Sequence, residues 1–433
     1  MFDTGSTGFM LICTMLVFLM TPGLAFFYGG LARRKNVTNT MLMTFIVIGV
    51  VGVLWVVAGW SFAYGGDGSI SFFGGFDQLL CLPIVQQVLD EAANPPADAT
   101  YPSIVNIAFQ MAFAMITSAI ITGSVAGRMK FKAVTLFLSF WVLVVYAPLA
   151  HMVWGGAGSL IGEQIGALDF AGGDVVHISS GLTGLVLCLA LGGRRGFGVM
   201  SYRPHNVPFV ALGAGLLWFG WFGFNAGSAL GAGPLAANAV LTTQMSAAIG
   251  IVGWVLVERY HRGKPTVLGA VSGGVSGLVA ITPAAGFVTP VAAIPIGFVG
   301  AICCYVAVAI LKSKFGYDDS LDAFGIHGVG GTWGAIATGL FATVTVNPDG
   351  ADGLFYGGNL LVPQLISLVV AIALAIIGTV VIFKVVSYFM DMRVSISAES
   401  LGIDISEHGE GAYNQSEFKS SGRFITSDQH SLV

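Results

Sequence analysis

Long apolar stretches alternate with short polar loops from the start of the chain to about residue 389. Each stretch has the roughly 20 residues that a helix needs to cross about 30 Å of hydrocarbon. The alternating pattern of transmembrane strands is missing, which argues against a β-barrel. The pattern predicts an all-α polytopic membrane protein whose spans 1 to 11 are about 7–31, 40–64, 102–127, 131–151, 171–192, 206–229, 237–259, 267–284, 289–311, 323–345 and 358–389.

Composition supports the same conclusion. Apolar residues make up 55% of the chain and charged residues only 9%, whereas soluble domains carry about a quarter charged residues. Residues 1–8 hold no Lys or Arg and the apolar run after them is long. We therefore interpret span 1 as a retained helix and not as a secretory signal.

The positive charges indicate an orientation, because Lys and Arg are enriched in cytoplasmic loops. All 18 follow odd-numbered spans or lie at the C-terminal end: Arg33, Arg34, Lys35, Arg128, Lys130, Lys132, Arg194, Arg195, Arg203, Arg259, Arg262, Lys264, Lys312, Lys314, Lys384, Arg393, Lys419 and Arg423. Eleven spans then place the N-terminus outside and the C-terminus inside the cytoplasmic membrane. An even number of spans would break this alternation.

Two histidines share a local pattern in different spans. His177 begins HISSGLTG and His327 begins HGVGGTWG, and each is followed by glycines four and seven residues later. Spans 5 and 10 would run in opposite directions, which predicts two inverted five-span halves, at about 7–192 and 206–345, with span 11 outside the repeat. One such histidine is commonly a satisfied core residue, but a repeat-related pair favours a shared functional cavity.

Longer stretches give a more specific signal: PGLAFFYGGLARRKNV, AFQMAFA, AHMVWGG, ALDFAGGDVVHI, PHNVPFV, GWFGFNAGS, RGKPTVLGA, ITPAAG, DAFGIHGVGGTWGA and GIDISEHGEGAYN. On these stretches, from about residue 9 to 414, the chain resembles the ammonium transporter (Amt/Mep/Rh) family of the bacterial Amt type. The resemblance implies a homotrimer that takes up ammonium or ammonia, with one pore in each subunit. We expect a transmembrane domain at 1–390 and a cytoplasmic tail at 391–433.

The resemblance also implies roles for individual residues. The outer recruitment site would comprise Trp154, Phe113, Ser228, Asp169 and Ala171. The gate would comprise Phe113 and Phe224, and the pore would be lined by His177 and His327. Further candidates are Phe109, Gln110, Asn225 and Asp174. Ammonium would be recruited, deprotonated and passed through an apolar pore.

Elementary chemistry favours this sequence of events. Bare ammonium in hydrocarbon would cost tens of kcal/mol by Born estimates. Aromatic faces attract a desolvated cation by about 2 kcal/mol, and a hydroxyl can accept its N–H groups. Those terms can hold ammonium at a pore mouth, whereas only neutral ammonia can cross a dry lumen. Imidazoles near their usual pKa can bind ammonia and relay a proton.

Each role has a simpler alternative. Trp154 could be an anchor of the aromatic belt, and the two gate phenylalanines could be ordinary packing. Asp169 could only cap span 5, and Ser228 could bond its own helix backbone. Asp174 stands three residues before His177, on one face of a helix, so it could favour protonated His177 or recruit cations. It could equally be a carboxylate favoured in a helix's first turn.

Other classes of function have weaker support. A membrane enzyme would be expected to show HExxH, GxSxG or a Walker-type loop, and none occurs. None of the five cysteines forms a CxxC pair, and no cofactor or metal site is predicted. A water channel would carry paired NPA motifs, whereas Asn94-Pro95 and Asn347-Pro348 lie in expected outer loops. A sensor would carry a signalling domain, which the short tail does not contain.

The inner face suggests a partner. By resemblance, a PII-type signalling protein would dock on the basic inner loops and the tail, and plug the pores. Asp318, Asp319 and Asp322 form an acidic stretch on the same face. Nucleic acid is not an expected partner. The sequence leaves open whether ammonia, ammonium, or ammonia with a separately routed proton crosses the membrane, and whether carbon dioxide does.

Overall fold

The computed structural model describes residues 2–94 and 100–413, and in them the chain is helical apart from loops and one isolated bridge. The all-α prediction is therefore confirmed. Spans 1 to 7 correspond to helices Thr4–Leu31, Arg34–Tyr64, Ser103–Val125, Phe131–Trp154, Gly173–Leu191, Val207–Gly227 and Pro234–Arg262. Spans 8 to 11 correspond to Val267–Ile281, Pro290–Phe315, 324–341 and Leu361–Phe389. Short helices Leu82–Ala93, Ile396–Leu401 and Ile403–His408 lie outside these spans.

Nine of the helices in the described residues are long and apolar enough to cross a membrane. The two others are Val267–Ile281, which is shorter, and 324–341, which carries a histidine and several glycines. The count of eleven and the orientation therefore stay predictions. The helix of span 9 runs to Phe315, so Lys312 and Lys314 lie on its last turn and not in a loop, where cations favour a helix C-terminus.

The outward faces of the helices are apolar. Large side chains such as Val53, Val369 and Ile377 are more than 60% exposed although they lie in the middle of apolar helices. Water would not tolerate such a surface over most of a protein, whereas lipid does. This exposure places the bundle in a bilayer, as a multi-pass membrane protein.

Glycines allow spans 5 and 10 to meet. Gly181 lies against the backbone of Gly328 so closely that a Cβ there would collide with it. Gly184 lies against span 3, and Gly334 in the same way lies against span 8. Spans 3 and 8 occupy equivalent places in the two predicted halves. Spans 5 and 10 therefore have equivalent neighbours, as the proposed inverted repeat requires.

The acidic stretch that the sequence analysis placed on the inner face is tied into the bundle by hydrogen bonds and ion pairs. Arg194 donates to both carboxylate oxygens of Asp318, at 2.6 and 2.8 Å, and buried Arg128 donates to the Asp318 carbonyl at 2.6 Å. Asp319 accepts from the start of span 10 at 2.8 Å. Asp322 forms a 2.7 Å ion pair with a lysine of span 9. These carboxylates join helix ends to one another.

Acid should weaken this network. Burial raises the pKa of Asp318, but hydrogen bonds and charge from Arg194, with the charge of Arg128, outweigh burial and hold that pKa below its usual range. The resulting stability is present above the unfolded pKa of about 3.9 and is lost as the pH falls through the folded pKa. We expect Asp318→Asn to lower the melting temperature in detergent at pH 7, because it leaves two buried cations with a neutral partner.

The decisive comparison is between the melting temperatures of the native protein and of Asp318→Asn at two pH values. The gap between their melting temperatures should shrink at about pH 3.5, because below the unfolded pKa of about 3.9 the unfolded carboxyl is protonated and the advantage of the charged residue declines. Asp391→Asn provides a control, because its ion pair with Lys130 is solvent-exposed and contributes little. A gap for Asp318→Asn that is as small as the control's at pH 7 would contradict this account.

The described part of the tail is folded against the bundle. Asp404 accepts the backbone N–H groups of Val37 and Asn39 at 2.9 and 2.8 Å, so it caps the inner end of span 2. Asn36 accepts the N–H of Ile403 at 3.1 Å. Residues 391–413 are therefore an integral part of the face predicted to be cytoplasmic, and the end of the tail from residue 414 lies outside the described residues.

Candidate functional site

Aromatic rings form a column from the predicted outer mouth into the bundle. Phe113 and Phe224 stack with centroids 4.0 Å apart and planes at 12°. Trp154 contacts Phe113 edge-on at 6.1 Å, and His177 lies 6.1 Å below the ring of Phe224. Both phenylalanines are at most 1% exposed. The structure thus brings together the residues predicted for the gate, and the stacked pair closes the way between Trp154 and the histidine.

Asp169 holds the start of span 5. Its carboxylate accepts the N–H groups of Gly172, Gly173 and Asp174 at 2.7, 2.6 and 2.8 Å, and a fourth at 3.4 Å. Its backbone carbonyl accepts the indole N–H of Trp154 at 2.8 Å. One residue therefore caps span 5 through its side chain and binds Trp154 through its backbone carbonyl.

The contacts of the other residues predicted near the outer mouth give weaker support for a recruitment site. Ser228 is partly exposed, and its hydroxyl donates to the carbonyl of Phe224 at 2.9 Å, so it bonds its own helix as the simpler alternative expected. Ala171 is fully buried beside the cap. Phe109 packs 4.8 Å from Phe113 and extends the aromatic column sideways.

Two buried amides retain free acceptor oxygens. The amide nitrogen of Asn225 donates to Thr243 at 2.9 Å, but its oxygen has no hydrogen-bond partner within the described residues. The side-chain oxygen of Gln110 has none there either. A buried carbonyl without a donor is costly. Both residues neighbour the phenylalanines of the predicted gate in sequence.

The two histidines lie in contact. Their Nδ1 atoms are 3.1 Å apart. The hydroxyl of Thr282 donates to the carbonyl of Leu278 at 2.8 Å and accepts the indole N–H of Trp221 at 2.9 Å. His177 Nε2 lies 3.3 Å from that hydroxyl, so it donates to the remaining lone pair. This arrangement places a proton on Nε2 of His177, and in the neutral ring Nδ1 is then the acceptor to which His327 donates its own Nδ1–H.

Each histidine sits on a π-helical turn. The turns are Gly173–Ile178 and Phe324–Gly328, and such turns are frequent at functional sites. Each histidine also follows a capping aspartate by eight residues, Asp169 in span 5 and Asp319 in span 10. This second correspondence between the halves was readable in the sequence, but our sequence analysis missed it.

A narrow cavity runs beside both imidazoles. His177 and His327 line it together with apolar side chains such as Leu24 and Ile116. Its free volume of ≈ 10 Å³ is at the lower limit for a single water molecule. A wider vestibule of ≈ 690 Å³ shares Leu321, among other residues, with this cavity. The narrow cavity therefore leads from the Phe224 ring towards this vestibule, on the side predicted to face the cytoplasm.

Asp174 does not act on His177 through a hydrogen bond. Its carboxylate accepts the hydroxyl of Ser367 in span 11, and its other oxygen has no partner within the described residues. The spacing argument assumed an α-helix, but the segment is a π-helical turn, in which residues three apart do not share a face in the same way. The structure thus favours a contact with span 11.

Trp221 and Thr282 were missed by the sequence analysis. Trp221 stacks on His177 with the ring centroids 5.4 Å apart. The hydroxyl of Thr282 accepts from Nε2 of His177 and so determines which ring nitrogen carries the proton. Both lie inside stretches that carried the family resemblance, GWFGFNAGS and ITPAAG, so the signal was present without a reason to assign a role. Among the described residues, no group of three or more His, Cys, Asp or Glu side chains could hold a metal ion.

Comparisons with known proteins agree with this geometry. A model of the Ammonium Transporter Family matches residues 8–413. The chain is 51% identical over 415 residues to the ammonium transporter of Bacillus subtilis, covering 95% of this chain and 99% of the relative. The crystal structure of Saccharomyces cerevisiae Mep2 superposes with a TM-score of 0.83 at 33% identity, covering 91% and 88%. A sensor Amt protein superposes with a TM-score of 0.81 at 26% identity, covering 92% and 97%.

Proposed function

The chain belongs to the ammonium transporter family and not to an enzyme family, and we propose that it takes up ammonium or ammonia through a pore between its two halves. The single observation that carries this mechanism is the contact of His177 with His327, 3.1 Å apart, beside an apolar lumen that scarcely holds one water molecule. A solute that can shed a proton is the kind that such a lumen would pass.

Recruitment would occur above the gate. The rings of Trp154 and Phe113 offer cation–π contacts of about 2 kcal/mol when desolvated. The free oxygens of Gln110 and Asn225 are acceptors for ammonium N–H groups near the aromatic column. Asp169 adds a negative charge that is itself fixed by four backbone donors. These groups together favour a small cation with several donors.

Passage would follow loss of the proton. Movement of the Phe113–Phe224 stack would admit ammonia, and the paired imidazoles would bind it in turn. His327 Nε2 is free to accept in the tautomer assigned above, because Nδ1 carries the proton. Potassium has no proton to lose, so it would meet the full cost of desolvation in the lumen.

The wider architecture completes the proposal. Eleven spans would form inverted halves at about 7–192 and 206–345, span 11 at about 358–389 would complete the 1–390 transmembrane domain, and 391–433 would face the cytoplasm. Three subunits would assemble, each with its own pore. A PII-type signalling protein would dock on the inner face, where the folded tail and the basic loops meet.

Ammonium added to liposomes that contain the purified protein should test the function directly. We expect a saturable ammonium-dependent signal, because a finite recruitment site precedes the pore. An electrical current would indicate net charge movement, and internal alkalinisation without current would indicate neutral ammonia. Potassium at the same concentration, and liposomes without protein, are the controls. A response no larger than in empty liposomes, or an equal response to potassium, would rule the proposal out.

A further inference from the structure

Span 11 lies outside the predicted repeat, yet the face that it packs against the bundle is polar at one end. Gln364 and Ser367 stand three residues apart in the helix Leu361–Phe389, so they lie on one face. Gln364 is 1% exposed and Ser367 is fully buried. Further along the same face are small buried residues, Ala371 and Ala375. The two polar side chains therefore stand at one end of this face, and small residues follow them towards the middle of the helix.

Gln364 binds one residue through both of its backbone groups. Its side-chain oxygen accepts the N–H of Leu168 at 2.6 Å, and its amide nitrogen donates to the carbonyl of Leu168 at 2.9 Å. The same nitrogen lies 3.2 Å from the carbonyl of Ala335 in span 10. A glutamine side chain matched in this way to a peptide unit fixes both its position and its orientation.

The residue held by Gln364 immediately precedes the cap of the recruitment site. Leu168 is bonded to Asp169 along the chain, and the carbonyl of Asp169 orients Trp154 at 2.8 Å. Ser367 donates to Asp174, at the other end of the same short segment. Span 11 thus contacts residues 168 and 174 on either side of Asp169.

We propose that Gln364 is a positioning residue for the ammonium recruitment site, and that Ser367 supports it. This inference rests on the proposed function and adds span 11 to the machinery of the outer mouth. Without the glutamine amide, the part-buried N–H and carbonyl of Leu168 lose their partner in span 11, and such groups are costly to leave unpaired. The segment relaxes to satisfy them, and the carbonyl that aims Trp154 moves with it.

Ammonium dependence in liposomes should reveal the role. Gln364→Leu is expected to raise the half-saturating ammonium concentration roughly tenfold, while the maximal rate falls less, because the gate and the histidines are untouched. Thr379→Val is the matched control. Thr379 bonds Thr183 at 2.9 Å across the same pair of helices but far from the mouth. The control should lose comparable thermal stability and keep the half-saturating concentration of the native protein.

Gln364→Glu tests the same role in a single variant, in which only the pH is changed. A protonated carboxyl can donate to the Leu168 carbonyl and accept its N–H, whereas the ionised form has no donor. The half-saturating concentration of the variant, divided by that of the native protein, should therefore rise several-fold between pH 5 and 9. Division by the native value removes the pH dependence that comes from other titratable groups. On the elements packed against span 11 these are Lys132, Tyr146, Glu163, Asp174, His177 and Cys188, and Asp169 follows Leu168 in the chain.

The outcomes separate the two proposals. If the native protein gives no ammonium response, the proposed function fails whatever the variants do. If the native protein responds, but Gln364→Leu and Thr379→Val have equal half-saturating concentrations, or if the Gln364→Glu ratio is flat with pH, the positioning role is overturned. A raised concentration in Gln364→Leu alone, together with a rising ratio in Gln364→Glu, supports it.

Discussion

Asp169→Asn is expected to reduce ammonium uptake at low ammonium at least tenfold. The carboxylate accepts N–H groups with both oxygens, whereas an amide has a single oxygen, and its NH₂ group would face a backbone donor. Each buried donor left unpaired costs about 1–3 kcal/mol, and the helix start also loses a favourable negative charge. The carbonyl that orients Trp154 shifts as a result. Uptake by liposomes across a range of ammonium concentrations measures the loss.

Asp319→Asn is the control for Asp169→Asn, because it makes the same substitution at a helix cap that lies away from the proposed recruitment site. Asp319 caps span 10 as Asp169 caps span 5, and it accepts from Phe324 and Ser124 at 2.8 Å each. The two substitutions should therefore lower the melting temperature similarly, since each removes part of a buried cap. Only Asp169→Asn should raise the half-saturating ammonium concentration strongly. An equal increase in both variants would show a general loss of folding and no special role for the outer cap.

Hydrophobic patterning predicted most of the fold because the bilayer leaves few alternatives. A helix must satisfy its own backbone in lipid, so the apolar run before Leu31 could only be a helix, and the observed end is at that residue. Span 10 shows where composition becomes ambiguous. Its histidine and glycines lower its apolar character, yet they are the residues that meet span 5. The features that serve the site are thus the ones that weaken the signal for a span.

Side-chain partners were far less predictable. Gln364 is one of a few polar residues in an apolar span, and nothing in the sequence indicates that its partner is the backbone of Leu168, 196 residues away. The partner of Asp318 was not predicted either, because Arg194 is also distant in sequence. Asp174 was assigned a face by α-helical spacing, and a π-helical turn changed that face. Long-range pairing and local helix type decide such contacts, and neither has a local pattern.

The aromatic gate and the histidine pair form one continuous unit. Phe224 stacks on Phe113 above it and lies 6.1 Å from His177 below it. Trp221 covers another side of the same imidazole and shares Thr282 with it. The ring of His177 is therefore held by stacking and by hydrogen bonds on both nitrogens. Such a ring is preorganised to exchange a proton at a fixed point, because little reorganisation is needed.

His177→Ala is expected to reduce ammonium uptake roughly a hundredfold, which is the lower range of what positioned proton transfer contributes. The substitution removes the acceptor of His327 and the ring that stacks under the gate. His177→Gln separates two parts of the effect, since glutamine can hydrogen-bond but cannot take up a proton at neutral pH. If proton relay is essential, the glutamine variant should be as slow as the alanine variant, although its amide can still contact ammonia.

His261→Ala serves as the control for losing a histidine, because its ring bonds Tyr305 at 2.8 Å near the inner end of span 7 and does not line the lumen. It should transport ammonium within about twofold of the native rate, since surface changes away from a site have small effects. A His177→Ala protein that transports as well as this control would refute a pore in which paired imidazoles handle the proton. A glutamine variant at the native rate would instead leave hydrogen bonding as the only function of the ring, and the proton would have to leave ammonium above the gate, beside Asp169.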